Sequence, residues 1–264
     1  MKVTTLNDYI KAVKKTYQNQ ETSKYLFFRG VSNKNHGLIP AIFRESEFKE
    51  KEVLLDYKHF LPKNGPNYSF PNDILKILTD MQHYRIPTRL LDWTISPLIA
   101  LYFACNDNSS NYCNTKIDGK IYILNPWKQR KNILKKSEQK LSNIHQIHLD
   151  TRALLSYYKF KEVKKIIQKK YDYKIKKKSF IKPFPMISSF CNERIIAQKG
   201  CFTIQGLNNE ILNCKEISEI IIPHSCKKSM LDNLSLLGID DYAIFPDFEG
   251  MANSFKNKKS LFNI

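Results

Sequence analysis

Apolar residues recur at helical spacing through Leu6, Tyr9, Ile10, Val13 and Tyr17, and this stripe predicts an amphipathic helix over Leu6–Tyr17, capped by Thr5 or Asn7. The aromatic run Tyr25–Phe28 ends in Arg29-Gly30 and reads as a buried strand entering a turn. Ser46–Leu61 predicts a second helix, with Glu47, Glu50 and Glu52 early and Lys58 late, the order a helix dipole favours. After a loop holding Pro62, Gly65, Pro66 and Pro71, Asn72 caps a helix running through Leu75, Leu78, Met81 and Gln82, which Pro87 breaks.

Thr88–Cys105 is the most strongly patterned stretch. Ser96-Pro97 has the form of a helix start, and the helix that follows is apolar nearly all round, so it belongs in a core. Gly119–Leu124, Cys201–Ile204 and Ile217–Ile222 read as strands, with Pro126-Trp127 closing the first. Ser225–Leu237 predicts a helix ended by Gly238. No internal repeat is visible. The pattern as a whole predicts an α+β fold, a small mixed sheet flanked by helices, in one domain over 1–264.

Charge changes this picture in one place. The 264 residues carry 43 Lys+Arg against 25 Asp+Glu, a formal charge of +18. Residues 128–182 hold 18 of those cations and four acids (Glu138, Asp150, Glu162, Asp172), a net of +14, while the remaining chain carries +4. Leu154, Tyr157, Tyr158, Lys161, Val163, Ile166, Ile167 and Lys170 separate apolar from basic faces, so 128–182 reads as an insertion of basic amphipathic helices. Its Lys residues alternate with Tyr157, Tyr158, Tyr171, Tyr173 and Phe180, a composition suited to a nucleic-acid backbone with stacked bases. A solvated lysine face and a membrane-surface helix are the alternatives.

Only seven of the 43 cations are Arg, and only eight residues are Gly. In so lysine-rich a chain each Arg and each Gly is more informative than any single Lys. The longest apolar runs, such as Ile220–Pro223 and Pro97–Cys105, fall far short of the roughly 20 residues that span a bilayer. Met1–Lys15 has no apolar signal region, and the six Cys (105, 113, 191, 201, 214, 226) form no CxxC pair. A cytoplasmic chain with reduced, mostly buried thiols and no metal site is therefore expected.

The motifs resemble a known family. Phe27-Phe28-Arg29-Gly30 with Leu38–Arg44, then Gln82–Thr94 (QHYRIPTRLLDWT) continuing into Ser96–Ala104, Arg194–Phe202 (RIIAQKGCF) and Ile244–Ala252 are similar, in order, to the blocks of the FRG domain. Arg85 departs from the pattern, which commonly has Gly there, so the turn before Pro87 is expected to differ in backbone conformation. Gly30, Gly200 and Gly250 fall inside these blocks, as do Arg29, Arg44, Arg85, Arg89 and Arg194. FRG proteins occur in bacteria and phages, some near defence genes. The block layout resembles that of mono-ADP-ribosyltransferases, which implies an effector that uses NAD as substrate and modifies nucleic acid or protein.

The resemblance implies roles. Arg29 holds the phosphate or nicotinamide-side ribose, Thr94 or Thr88 braces the nicotinamide pocket, and Gln198 orients ribose or nucleophile. Gly30, His83, Tyr84, Thr88, Arg89 and Asp92 complete the expected NAD site. Gln198 carries no charge to stabilise a cationic transition state, so Asp92 or Glu193 would have to supply it. Each residue also has a structural alternative: Arg29 or Arg89 paired with Asp92, Tyr84 and Trp93 in the core, Asp247 and Glu249 as a cap. The competing functional reading is a non-catalytic nucleotide- or nucleic-acid-binding module in which the same Arg residues hold phosphate.

Overall fold

The computed structural model describes residues 1–18, 25–44, 49–61, 67–107, 116–187, 192–207, 217–247 and 250. The first helix forms over Leu6–Gln18 (α1) and buries Tyr9, Ala12 and Val13. Thr5 caps it, its Oγ1 accepting from the Asp8 amide. The aromatic run becomes strand β1 (Phe27–Val31). Helices α2 (Glu50–Phe60) and α3 (Ile74–His83) follow, then strand β2 (Leu90–Thr94). The all-apolar helix α4 (Pro97–Cys105) opens on Pro97 and is buried along most of its length.

Strand β3 (Gly119–Leu124) runs into α5 (Pro126–Ile133). Pro126 both stops the strand and opens the helix, because a first-turn N–H needs no intrahelical partner; the Asn125 side chain accepts from the Lys128 amide. The basic stripe expected from Leu154 onward divides into α6 (Ile144–Leu154) and α7 (Phe160–Tyr171). Strand β4 (Phe184–Ile187) is not legible in the pattern because Pro185 lies inside it. It lies at the sheet edge, where proline is tolerated. The chain continues through α8 (Glu193–Ala197), β5 (Gly200–Ile204), β6 (Ile217–Ile222), α9 (His224–Leu236) and α10 (Asp241–Ile244). Gly238 ends α9 at φ 77°.

The strand order is β4-β5-β2-β1-β3-β6. Every pairing between these strands is antiparallel, and the parallel element is an isolated bridge between Lys2 and Ile221. One sheet face packs Phe28, Ile121, Ile123, Ile220 and Ile222 under α1, α4 and α9. Across the β1–β2 junction the same face packs Leu90, Phe202, Ile204, Phe184 and Met186 under α3, α6 and α7. Helix α4 lies against the strands because glycine leaves room for it. A Cβ at Gly30 would sit 1.9 Å from the Ala100 carbonyl oxygen, and one at Gly119 would sit 2.1 Å from that of Ala104.

The junction between the two halves is thin. β1 and β2 pair at a single register position, Phe28 with Thr94, whereas β1–β3 and β2–β5 each pair at five. The sheet therefore splays where the two core clusters on this face part, and a cavity opens there.

Residues 128–182 are part of this architecture. Leu134, Ile144, Ile147, Leu154, Val163, Ile167, Ile175 and Phe180 help build one of the three core clusters, the one under α3, α6 and α7. All sixteen Lys of the segment are exposed. Its aromatic rings are not. Tyr157, Tyr158, Tyr171 and Tyr173 pack against the core, and Tyr171 and Tyr173 donate their hydroxyls to Asp150 and Glu138. The expected stacking rings at these positions are therefore structural. Among the described residues no helix is long and apolar enough to cross a membrane.

Candidate functional site

The splay between β1 and β2 opens a cavity of about 540 Å³, within the roughly 300–1,000 Å³ common for small-molecule sites. Its floor comes from strand positions Phe28, Gly30, Leu90, Asp92, Thr94 and Phe202, and α3 and α8 supply walls through His83, Arg194 and Gln198. Four of the seven Arg line it (Arg29, Arg44, Arg85, Arg194), and Asp92 is the sole acid among the described lining residues.

Arg29 bridges the splay. Its Nη1 donates to the Asp92 backbone carbonyl at 2.7 Å and stands 3.9 Å from the Asp92 carboxylate. The side chain thus satisfies a carbonyl that the missing strand ladder leaves open. Arg29 Nε is buried with no hydrogen-bond partner among the described residues. Burial lowers the Arg29 pKa; Asp92 opposes that shift and Arg44 adds to it. Arg44 donates from Nε to the Ile39 carbonyl at 3.0 Å. Arg194 lies over the Phe245 ring at 4.9 Å and donates to the His83 carbonyl at 3.4 Å.

A polar chain runs from Thr88 to Asp92. Thr88 Oγ1 donates to Gln82 Oε1 at 2.6 Å, which turns the Gln82 amide so that Nε2 donates to Asp92 Oδ2 at 2.8 Å. Gln82 stands in the central motif, but sequence reasoning assigns it no role; an amide between two polar motif residues was the available signal. Two imidazoles complete the lining. Burial lowers the His36 pKa, helped by Arg44 and Arg29. Burial also lowers that of His83, reinforced by Arg194 and opposed by Asp80, Asp247 and Glu193. His83 Nδ1 is buried without a partner among the described residues.

Arg29, Gly30, His83, Asp92, Thr94 and Gln198 therefore meet at one cavity. Thr94 is already committed, donating to the Gln198 carbonyl at 2.7 Å and accepting from the Ser96 amide at 3.0 Å. Gln198 donates from Nε2 to the Ile244 carbonyl at 3.3 Å. Tyr84, Thr88, Arg89 and Glu193 do not line the cavity. Tyr84 is 66% exposed. Arg89 is buried and pairs with Glu50, not Asp92, and its Nη1 reaches the Gln205 and Gly206 carbonyls. Trp93 is core, with Nε1 donating to Thr203. Gly30 serves the seating of α4. Arg85 takes φ 61°, the left-handed region in which Gly is unstrained, so the turn before Pro87 is left-handed even with a side chain present.

The central block and the Phe-Arg-Gly run thus share one site. Residues 24–113 match the family model of the FRG domain. The FRG match spans β1, α2, α3, β2 and α4, hence Arg29, Gln82 and Asp92, while Arg194 and Gln198 come from chain beyond it. No curated protein and no solved structure matches the chain. In the closing block Asp247 Oδ1 accepts from the Gly250 amide, a capping contact, while Phe248, Glu249, Met251 and Ala252 lie outside the described residues.

Proposed function

We propose that the cavity binds a dinucleotide diphosphate, with NAD as the substrate, and that the protein is an ADP-ribosyltransferase-type effector acting in the cytoplasm, in bacterial defence against phage. One observation carries this reading: among the described residues, four Arg and a single acid line one ligand-sized cavity. A dinucleotide diphosphate is doubly negative, and Arg forks recognise phosphate oxygens bidentately. Arg29 is the principal candidate, since its orphaned Nε is a donor with nothing to bind among the described residues.

Cleaving the nicotinamide bond builds positive charge on the adjoining ribose. Asp92, held by Gln82 Nε2, is the carboxylate on hand to stabilise that charge. Gln198 and Thr94 take narrower parts than the resemblance implies. Both are engaged with the α8–β5 turn and α10 and hold the wall in place. The acceptor is nucleic acid, held by the exposed Lys of 128–182, or protein. Purified protein incubated with NAD labelled in the adenylate is expected to transfer label or release nicotinamide, with Arg29→Ala and Asp92→Asn losing both while still folded. Tight nucleotide binding without turnover would favour the non-catalytic module instead.

A further inference from the structure

A second pocket, of about 250 Å³, lies on the sheet face turned away from the cavity floor, where Phe27 of β1 and Ile187 of β4 project toward Trp127 of α5. Tyr25, Arg130 and His145 close it. It collects exposed apolar surface: Tyr25 is 51%, Trp127 47% and Ile187 64% exposed. Soluble proteins seldom gather aromatic and aliphatic side chains in the open without a partner.

The polar groups there favour a polyanion carrying flat rings. The Arg130 guanidinium lies over the Trp127 ring, 5.6 Å from its centroid. It has no carboxylate partner among the described residues. His145 Nδ1 is buried with no hydrogen-bond partner among the described residues. Lys131, one helical turn beyond Trp127, shares its face of α5, and Lys128 stands beside it. Lys182 lies two residues before β4, and all three lysines are exposed. Here, where the +14 segment begins, an exposed aromatic pair, a guanidinium without a carboxylate partner among the described residues and nearby lysines occur together.

We infer that this pocket is a base-stacking site for single-stranded nucleic acid: a base lies against Trp127 and Tyr25, and Arg130, Lys128 and Lys131 follow the phosphates. The aromatic platform sought in Tyr157, Tyr158, Tyr171 and Tyr173 lies instead at the segment's start. A duplex keeps its bases paired and offers no free ring to the pocket, so preference for single strands is the signature. The site is separate from the arginine-lined cavity and does not depend on what that cavity binds.

The full chain titrated into a fluorescein-labelled oligo-dT strand across a salt series tests this by anisotropy. Trp127→Ala is expected to lower affinity about tenfold with the salt slope unchanged, and Trp127→Phe to restore most of it. Tyr25→Ala is expected to act in the same direction. The Lys128→Gln, Lys131→Gln pair is expected to reduce the slope of log K against log salt by about 1.4. Because Trp93 is buried, strand binding should quench the exposed Trp127, and Trp127→Ala should remove that quench. Unchanged affinity in both aromatic variants would overturn the proposal. So would duplex binding as tight as single-strand binding, or quenching by phosphatidylserine vesicles in place of the strand.

Discussion

Two regions of this molecule are rich in cations, and they are built oppositely. The arginine-lined cavity brings four guanidiniums from distant points in the chain onto a concave, partly desolvated surface with one carboxylate among its described residues. The segment 128–182 spreads sixteen Lys over an exposed exterior. A fixed fork in a cavity selects a ligand by geometry, whereas mobile ammonium groups in water create a field that salt screens. Positive charge therefore means recognition in one region and attraction in the other. The segment's one buried Arg makes the same point. Arg152 is fully buried between Phe180 and Phe184, donating to the His148, Ser179 and Lys182 carbonyls. It is a bracket for the fold and no part of the basic surface.

The largest expected effect tests that bracket. Arg152→Ala leaves three carbonyls open in the core and should cost about 3–5 kcal/mol, read as a fall in the urea midpoint, whereas Lys164→Gln should leave stability within about 0.5 kcal/mol. If both variants melt alike, Arg152 is not a bracket. Next in size, Arg29→Ala should weaken nucleotide binding by roughly 10–100-fold, the worth of a charge-assisted hydrogen bond, and Arg29→Lys should recover little, since Lys cannot form the fork. Replacing Lys161, Lys164, Lys165 and Lys169 with Gln should instead lower nucleic-acid affinity and flatten its salt dependence, leaving nucleotide binding alone.

Histidines separate the regions by pH. Burial, with Arg130 adding to it, lowers the His145 pKa from 6.5 to about 4, and burial lowers that of His148 further. The unfolded chain takes up these protons first. Stability should therefore be intact above about pH 6.5 and decline toward pH 4, as thermal melts across that window would show. The smallest effect belongs to the cavity. Burial depresses the His36 pKa and repulsion from Arg44 and Arg29 adds to it; an anion bound there offsets that repulsion, so the His36 pKa followed by NMR should rise on adding nucleotide. No change would place the anion elsewhere.

Periodicity made much of the fold legible. The stripe over Leu6–Gln18, the apolar text of α4 and the strands at 119–124, 201–204 and 217–222 carry their own signals. β4 does not, since a proline in a four-residue strand reads as loop until β5 is seen beside it. The site was legible through scarcity: in a Lys-rich chain, Arg29, Arg44, Arg85 and Arg194 stood out inside motif blocks, and all four line the cavity. Arg89 shows the limit of that signal, because its partner Glu50 lies 39 residues away and nothing local announces the pair. The pairing of Thr88 with Gln82 and of Thr94 with the Gln198 carbonyl likewise depends on tertiary placement.

The most direct test is calorimetric titration of ADP-ribose and NAD into the wild type, Arg29→Ala and the four-lysine variant at one ionic strength. Wild type and lysine variant should bind equally, and Arg29→Ala should lose most of the affinity. Retained binding in Arg29→Ala, with loss in the lysine variant, would contradict an arginine-lined nucleotide site.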